Sequence, residues 1–501
     1  MKESKMKVML IASPATSAER YKNNRVIEHF FPIGLLSLAT FLKQNNIETE
    51  VADLQIYCEN NMVDYLCGLN EDSFVKYIDN HLLKRVGDYK PDVIGIGCLF
   101  TGAFSGLKII AKRIKDVFPH IPIVIGGIHP TLFAEEILAR YDFIDYIILG
   151  EGEKTFLNLL NCIKNKESLH SLDGIVFRHN GQIIKKVKTR FENSLDSLPF
   201  VDYNFLNLED YKSDKSSWYS PKEIEIGIPF PIISGRSCPN QCSYCSMWHV
   251  HGKKIRFRSA DNVLDEIEFL YKNFNASYFH FMDDNLTFDK KRTLDIFQGI
   301  IDRNLNIQFD TPNGTSANAL DDEIIDVMVK AGLVRITIAI ESGSQDIRFH
   351  SMNKYVTDDK IYSAAKACAK HNNLFINAFF MIGMPEETHK SLNETFKMIK
   401  ELPLDAFSVF YVAPYPHTKL FDQCSKNNLI SSDISKYINA ENLQHANDKP
   451  IFKPYNLTEE DLIKFRNKCY NYLKEMRSSS NLPPNYPLRY KHEKIILEKR
   501  K

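Results

Sequence analysis

The stretch SGRSCPNQCSYCSMWHVHG, Ser234 to Gly252, carries Cys238, Cys242 and Cys245 in a Cys-x3-Cys-x2-Cys spacing, three of the chain's ten cysteines within eight residues. Three thiolates on one tight loop can converge on a metal centre, and soft sulfur ligands select zinc or iron with sulfide. A closed zinc site wants four ligands, and His249 or His251 stands near enough in sequence to be the fourth. The other chemistry is a cubane of four irons and four sulfides, with three irons held by thiolates and the fourth open to a ligand that is not protein. The remaining cysteines, Cys58, Cys67, Cys98, Cys162, Cys368, Cys424 and Cys469, are scattered, mostly in apolar patterns, and read as buried, inert thiols. A disulfide framework does not fit a chain of 501 residues without an export signal.

A loop of this kind needs rigid elements to hold it. From residue 231, strand-like runs FPIISG, YFHFMDD, IQFDTPNG, VRITIAIESG, FINAFFMIGMP and FSVFYVAPYP alternate with helical periods. Six such units predict a partial (β/α)6 barrel over 230–428, with the cysteines directly after its first strand. Residues 1–170 alternate in the same way, through KVMLIASP, IETEVADL, DVIGIGCL, IPIVIGG and IDYIILGEG, which predicts an open parallel, Rossmann-like sheet whose ligands bind beyond the strands' carboxyl ends. The class is therefore α/β. Residues 171–229 read as a hairpin turning at Asn180-Gly181 followed by a polar linker, and 429–501 as a small, mostly helical C-terminal region ending in a basic, solvated tail.

Charge narrows the partners. With 63 basic and 63 acidic residues the chain advertises neither nucleic acid nor an anionic membrane, so the expected substrate is a small molecule. The longest uncharged run, Val93 to Leu107, is too short and glycine-rich for a membrane span, and the first residues lack a signal-peptide pattern; a cytoplasmic protein is expected.

The cysteine spacing, with the aromatic Tyr244 just before the last cysteine, resembles the cluster motif of the radical S-adenosylmethionine enzymes. The resemblance extends over roughly 230–420 through FMDDNLT, IAIESGS, FFMIGMPEET and YVAPYPHTKLF. It implies a [4Fe–4S] cluster on Cys238, Cys242 and Cys245, with S-adenosylmethionine supplying the missing ligand and giving a 5′-deoxyadenosyl radical on one-electron reduction. It further implies cofactor contacts from Tyr244, from Glu341 and Ser342 to the ribose or amino-acid part, from Gly383 to the adenine region, and from Asp283 or Asp284 at the barrel mouth. Tyr411, Tyr415, Phe379 and Phe380 are candidates to line the cavity, with plain core as the competing reading.

The N-terminal segments FPIGLLSLATFL, GGIHPT and GEGEKTF resemble the cobalamin-binding domain of the cobalamin-dependent branch of that family. The implied contacts are Gly126, Gly127, His129, Thr131, Gly150, Glu151 and Gly152. A dinucleotide is not favoured, because no strand-to-helix G-x-G-x-x-G is present. An Asp-x-His-x-x-Gly cobalt-ligand signature is also missing: its nearest equivalent, Asp79, His81 and Lys84, lacks the glycine and reads as a helix surface. The resemblance implies methyl transfer from methylcobalamin to an unactivated carbon, with a reductant such as flavodoxin or ferredoxin. The alternatives are the oxidative chemistry of the related anaerobic magnesium-protoporphyrin monomethyl ester cyclases, a ring rearrangement, or a non-catalytic cobalamin or iron–sulfur sensor. Methylthiotransferases are disfavoured, since the N-terminal cysteines do not match the three further cluster ligands those enzymes carry.

Overall fold

The computed structural model describes residues 5–14, 30–56, 71–99, 101–212, 226–439 and 449–479. The chain forms two compact units: Met1–Tyr211 with Ser246–Lys253 and Ser431–Gln444, and Lys212–Cys245 with Lys254–Ile430 and His445–Lys501. Cys58, Cys67 and the basic tail beyond 479 lie outside the described residues.

The first unit is built on a seven-stranded sheet in the order β2-β1-β3-β4-β5-β6-β7. Strands β1 (Lys7–Ala12), β2 (Glu48–Asp53), β3 (Val93–Gly97), β4 (Ile123–Gly126) and β5 (Tyr146–Ile148) are parallel. Val8, Met9, Leu10 and Ile11 are all fully buried, the continuous apolar run of a strand covered on both faces. Because β2 and β3 flank β1, the winding reverses beside β1, and a crevice at the carboxyl ends of β1 and β3 is the ligand position such topology creates.

The hairpin expected to begin a linker instead extends this sheet. β6 (Ile175–His179) pairs antiparallel with β5, and β7 (Gln182–Lys186) pairs with β6 across Asn180 and Gly181, both left-handed as a type I′ turn requires. The polar connector after it is also part of the unit. Tyr203 meets Phe31 edge-on at 5.0 Å, Tyr211 stacks on Phe31 at 4.2 Å, and the Tyr211 hydroxyl donates to Asp53 at 2.5 Å. The polar sequence hides these anchors because the buried residues, Leu195, Tyr203 and Tyr211, stand eight positions apart.

The second unit holds a six-stranded parallel sheet, β15-β14-β13-β12-β11-β8, curved as a partial barrel. Its strands are β8 (Pro229–Ile232), β11 (Tyr278–Phe281), β12 (Gln308–Thr315), β13 (Leu333–Glu341), β14 (Phe375–Ile382) and β15 (Ala406–Tyr411), with a small ribbon of β9 (Gly235–Arg236) and β10 (Arg256–Phe257) after the first. The helices Ala260–Phe274, Lys290–Asp302, Asp322–Lys330, Asp358–Ala369 and His389–Glu401 return the chain between strands. Each starts on a side-chain cap, from Ser259, Asp289, Asp321, Thr357 and Thr388 in turn, which satisfies amides the first turn leaves unbonded.

An incomplete barrel leaves edges. β15 is covered by the helix Glu459–Ser478, from which Tyr470 accepts a hydrogen bond from the Val409 amide at 3.2 Å and Arg466 donates to the Val409 carbonyl at 3.0 Å. Among the described residues no helix is long and apolar enough to cross a membrane.

Candidate functional site

The cysteine loop leaves β9 at the carboxyl end of the barrel and is gripped from three sides. Asp283 and Asp284, just past β11, accept hydrogen bonds from the Ser234 and Ser237 amides, each at 3.1 Å, and Asp283 also takes the Ser234 hydroxyl at 2.6 Å. Ser243, between the second and third cysteines, donates its hydroxyl to the Ser351 carbonyl at 2.6 Å and its amide to Met352 at 2.9 Å, and its carbonyl receives the Leu420 amide. Asn353 donates to the Gln241 carbonyl at 2.7 Å. Cys238, Cys242 and Cys245 are thiols, half-buried and not in disulfides.

Asp283 braces the start of the loop. Both its oxygens are committed to Ser234, and burial lifts its carboxyl to about 6 against the lowering effect of those bonds. Asn285, which the sequence reading passed over, is buried, donates Nδ2 to the Cys238 sulfur at 3.5 Å, and keeps Oδ1 buried without a partner. Tyr244 packs against the apolar cluster that includes Met352, Met384, Val412 and Leu420, with its hydroxyl near Cys242. Burial raises that hydroxyl well above its ordinary range, so it stays protonated and can donate.

Glu341 ends β13 in a left-handed conformation (φ 73°) next to a bulge, a strained position for a side chain with a Cβ and the kind that clusters at functional sites. Its carboxylate meets the Lys354 ammonium at 3.2 Å, both largely buried. Lys354 lies thirteen residues on, in a segment with no chemical pattern, and only the fold reveals it. Ser342 stands beside Glu341 in the turn. It is fully buried, its hydroxyl taking the Ser344 amide at 3.2 Å and touching the Thr395 hydroxyl at 3.4 Å, while Arg348, also buried, donates to the Ser342 carbonyl and to Asp358 to hold the turn.

Gly383, at φ 97° just past β14, occupies backbone space that L side chains avoid, and its amide donates to Glu387 at 2.7 Å. Glu387 is fully buried, also receives the Met384 amide, and is pushed by burial to about 7. Of the four aromatic candidates, Phe379 borders Gly314 and Ala339 on the inner face and meets Phe410 edge-on at 5.7 Å. Phe380 is fully buried against Phe407, and Tyr411 is buried beneath Arg466, so these two are core; Tyr415 is half-buried beyond the end of β15.

In the first unit the expected contact residues largely bind one another. Gly127 (φ 120°) runs so close to β3 that a Cβ would lie 2.3 Å from the Cys98 carbonyl oxygen, and the Gly126 carbonyl accepts the Cys98 amide at 2.8 Å. Thr131 donates to the Gly127 carbonyl at 2.7 Å and accepts the Gly150 amide at 3.0 Å, tying the β4 and β5 loops together. Glu151 is nearly buried and pairs with His251 Nδ1 at 3.0 Å, and the Gly152 carbonyl opens the helix Glu153–Asn165 by accepting the Phe156 amide. His129 is no solvated loop residue: its ring is fully buried between Phe104 and Phe133, each 4.5 Å away, and desolvation depresses its basicity to about 3. Asp79 is taken by Arg113, and His81 is exposed, stacked on Tyr77.

The thiols fit a cluster better than a single ion. Zinc–sulfur bonds of about 2.3 Å in a tetrahedron would need sulfurs roughly 4 Å apart, and among the described residues no three His, Cys, Asp or Glu side chains converge on one ion position. A cubane, which takes each thiolate on a different iron, suits half-buried sulfurs on a braced loop, and the orphaned Asn285 Oδ1 marks polar capacity beside them.

Comparison with known proteins agrees with this chemistry. Residues 26–160 match the B12 binding domain and 232–399 the Radical SAM superfamily. An uncharacterized methyltransferase of Pyrococcus horikoshii is 27% identical over 468 residues, 93% of this chain and 92% of that protein. The cytidylyl-2-hydroxyethylphosphonate methyltransferase of Streptomyces wedmorensis is 25% identical over 86% of this chain and 84% of its own length. The anaerobic magnesium-protoporphyrin IX monomethyl ester cyclase of Rubrivivax gelatinosus is 26% identical over 69% of this chain and 60% of its length. In fold the chain is similar to the cobalamin-dependent S-adenosylmethionine radical enzyme OxsB (TM-score 0.72, 16% identity, 99% of this chain and 71% of that one). It is also similar to the methyltransferase TsrM from Kitasatospora setae (TM-score 0.65, 17% identity, 84% and 79%). With a B12-binding unit followed by a three-thiol barrel, the chain belongs to the cobalamin-dependent radical S-adenosylmethionine enzymes.

Proposed function

We propose that the protein is a methyltransferase that places a methyl group on an unactivated carbon of a small molecule, working in the cytoplasm with a reductant such as flavodoxin or ferredoxin. The observation that carries the reading is the coincidence, in one chain, of a three-thiol loop with no protein fourth ligand and a parallel sheet of the B12 kind. When bound, the cluster with S-adenosylmethionine supplies one-electron carbon–sulfur cleavage, and cobalamin supplies a transferable methyl group. Cys238, Cys242 and Cys245 hold the cluster. The Glu341–Lys354 pair offers a carboxylate and an ammonium of the right signs for the amino-acid end of S-adenosylmethionine, and the Gly383 backbone stands where a planar base can approach. Phe379 and Phe410 keep water from the inner face, which radical chemistry demands.

The matches to methyltransferases over 84–92% of their lengths favour this reading over cyclisation, since the cyclases are matched over 60–71% of theirs. The test is anaerobic reconstitution with iron, sulfide and hydroxocobalamin, followed by metal analysis and product assay. About four irons and one cobalt per chain are expected, with 5′-deoxyadenosine and S-adenosylhomocysteine formed in equal amounts once substrate is supplied. Iron without cobalt would sink methyl transfer. Substrate-dependent 5′-deoxyadenosine without S-adenosylhomocysteine would support cyclisation or rearrangement, and neither product a sensor.

A further inference from the structure

We infer that Asn285 tunes the reduction potential of the cluster by donating a hydrogen bond from Nδ2 to the Cys238 sulfur, so that removing it makes the cluster harder to reduce. The inference rests on the radical-enzyme reading of the cysteine loop. The contact is 3.5 Å, within range for a sulfur acceptor, and Asn285 is 6% exposed, so its amide is largely shielded from competing water.

Asn285 is also held in place. It follows Asp283 and Asp284, so three consecutive side chains from the end of β11 reach three points along the stem of the cysteine loop: Ser234, Ser237 and Cys238. The two carboxylates fix the backbone from which the amide projects, and the amide itself has no other role in the loop: its Oδ1 is buried and unpartnered. An N–H aimed at a ligating sulfur stabilises the extra negative charge that one-electron reduction places on the cluster, which raises the potential.

The experiment is an anaerobic redox titration of the reconstituted full-length protein, followed by electron paramagnetic resonance of the reduced cluster. It compares the parent with Asn285→Leu, which removes the donor at nearly constant volume. The variant is expected to show about a tenfold loss of reducibility at fixed solution potential, equivalent to about 59 mV for one electron, with iron content unchanged. Cleavage of S-adenosylmethionine should fall with flavodoxin as reductant and recover with titanium(III) citrate, which a merely structural defect would not do. A potential unchanged within twofold would overturn the inference. If the leucine variant fails to hold a cluster, the parent still decides: protein labelled with ¹⁵N-asparagine should show a nitrogen coupling to the reduced cluster, and its absence would overturn the inference as well. A parent that binds four irons and cleaves S-adenosylmethionine but shows neither effect leaves the enzymatic reading standing and removes only Asn285, whereas a parent that holds no cluster removes both.

Discussion

The barrel mouth and the B12-binding sheet solve the problem of holding a cofactor in opposite ways. At the barrel mouth the chemistry lies in side chains: three half-buried thiols and a buried carboxylate–ammonium pair, each braced by neighbours that have no chemistry of their own. At the sheet ends the singled-out side chains are spent on each other, Thr131 on two loops, Glu151 on His251, His129 between two rings. A covalent metal centre needs particular atoms at particular points. The sheet ends need loops that pack closely on the neighbouring strand, which glycine at 127 permits and a side chain there would forbid.

The sharpest way to break this comparison is Cys242→Ala. It removes one of the three thiols proposed to hold the cluster, so the cluster and all formation of 5′-deoxyadenosine should be lost while hydroxocobalamin is retained, as measured by iron analysis and the visible spectrum. Loss of cobalamin in that variant would show that the two regions are not independent. The converse is Gly127→Ala. Its Cβ would sit 2.3 Å from the Cys98 carbonyl oxygen at a backbone angle that alanine resists, which costs roughly 3 kcal/mol or more. Cobalamin retention and the stability of the first unit should fall while four irons still bind.

The next effect lies in the braces and is read through pH. Burial lifts Glu387 from its ordinary 4.5 to about 7, so between those values the folded chain keeps a proton that the unfolded chain releases. Its contribution to stability is complete below about pH 4.5 and is lost as pH rises through 7, a swing on the order of 3 kcal/mol. Asp53 and Asp283, both lifted to about 6 by burial, act in the same direction over a lower window. Urea unfolding at about pH 5 and pH 8 should show the parent losing more stability on going to the higher pH than Glu387→Gln does; equal losses would mean that the Gly383 loop is held by other bonds.

How much of this was legible in sequence follows the same division. The cysteine spacing and the strand–helix alternation are local patterns, and both are found where they were expected. The partner of an interaction is not local. Asn285 reaches Cys238 across 47 positions, Asn353 reaches Gln241 across 112, and Tyr211 reaches Asp53 across 158. Residues at strand ends are ambiguous for a related reason: Glu341 and Ser342 are neighbours, yet the left-handed turn at 341 sends one side chain to Lys354 and leaves the other in the turn held by Thr395 and Arg348. The β6–β7 hairpin was recognisable from Asn180-Gly181, but its union with β5 depends on an edge that only the assembled sheet presents.

Two smaller substitutions separate chemistry from support within the barrel. Lys354→Met keeps the length of the side chain and removes its charge, so the KM for S-adenosylmethionine should rise about tenfold, equivalent to about 1.4 kcal/mol, with iron content unchanged; an unchanged KM would make the pair with Glu341 a structural one. Tyr470→Phe is its counterpart far from the mouth. The buried Val409 amide would lose the hydroxyl that accepts its hydrogen bond, while the Val409 carbonyl would keep Arg466. A single orphaned donor of this sort costs about 1 kcal/mol or somewhat more, which should appear as a lower melting temperature and faster hydrogen exchange at Val409 with no change in KM. If the exchange rate did not move, the helix Glu459–Ser478 would be shielding the open edge of the barrel by packing alone, and the last strand would owe its order to the apolar contacts of Leu462 and Phe465 rather than to the polar ones.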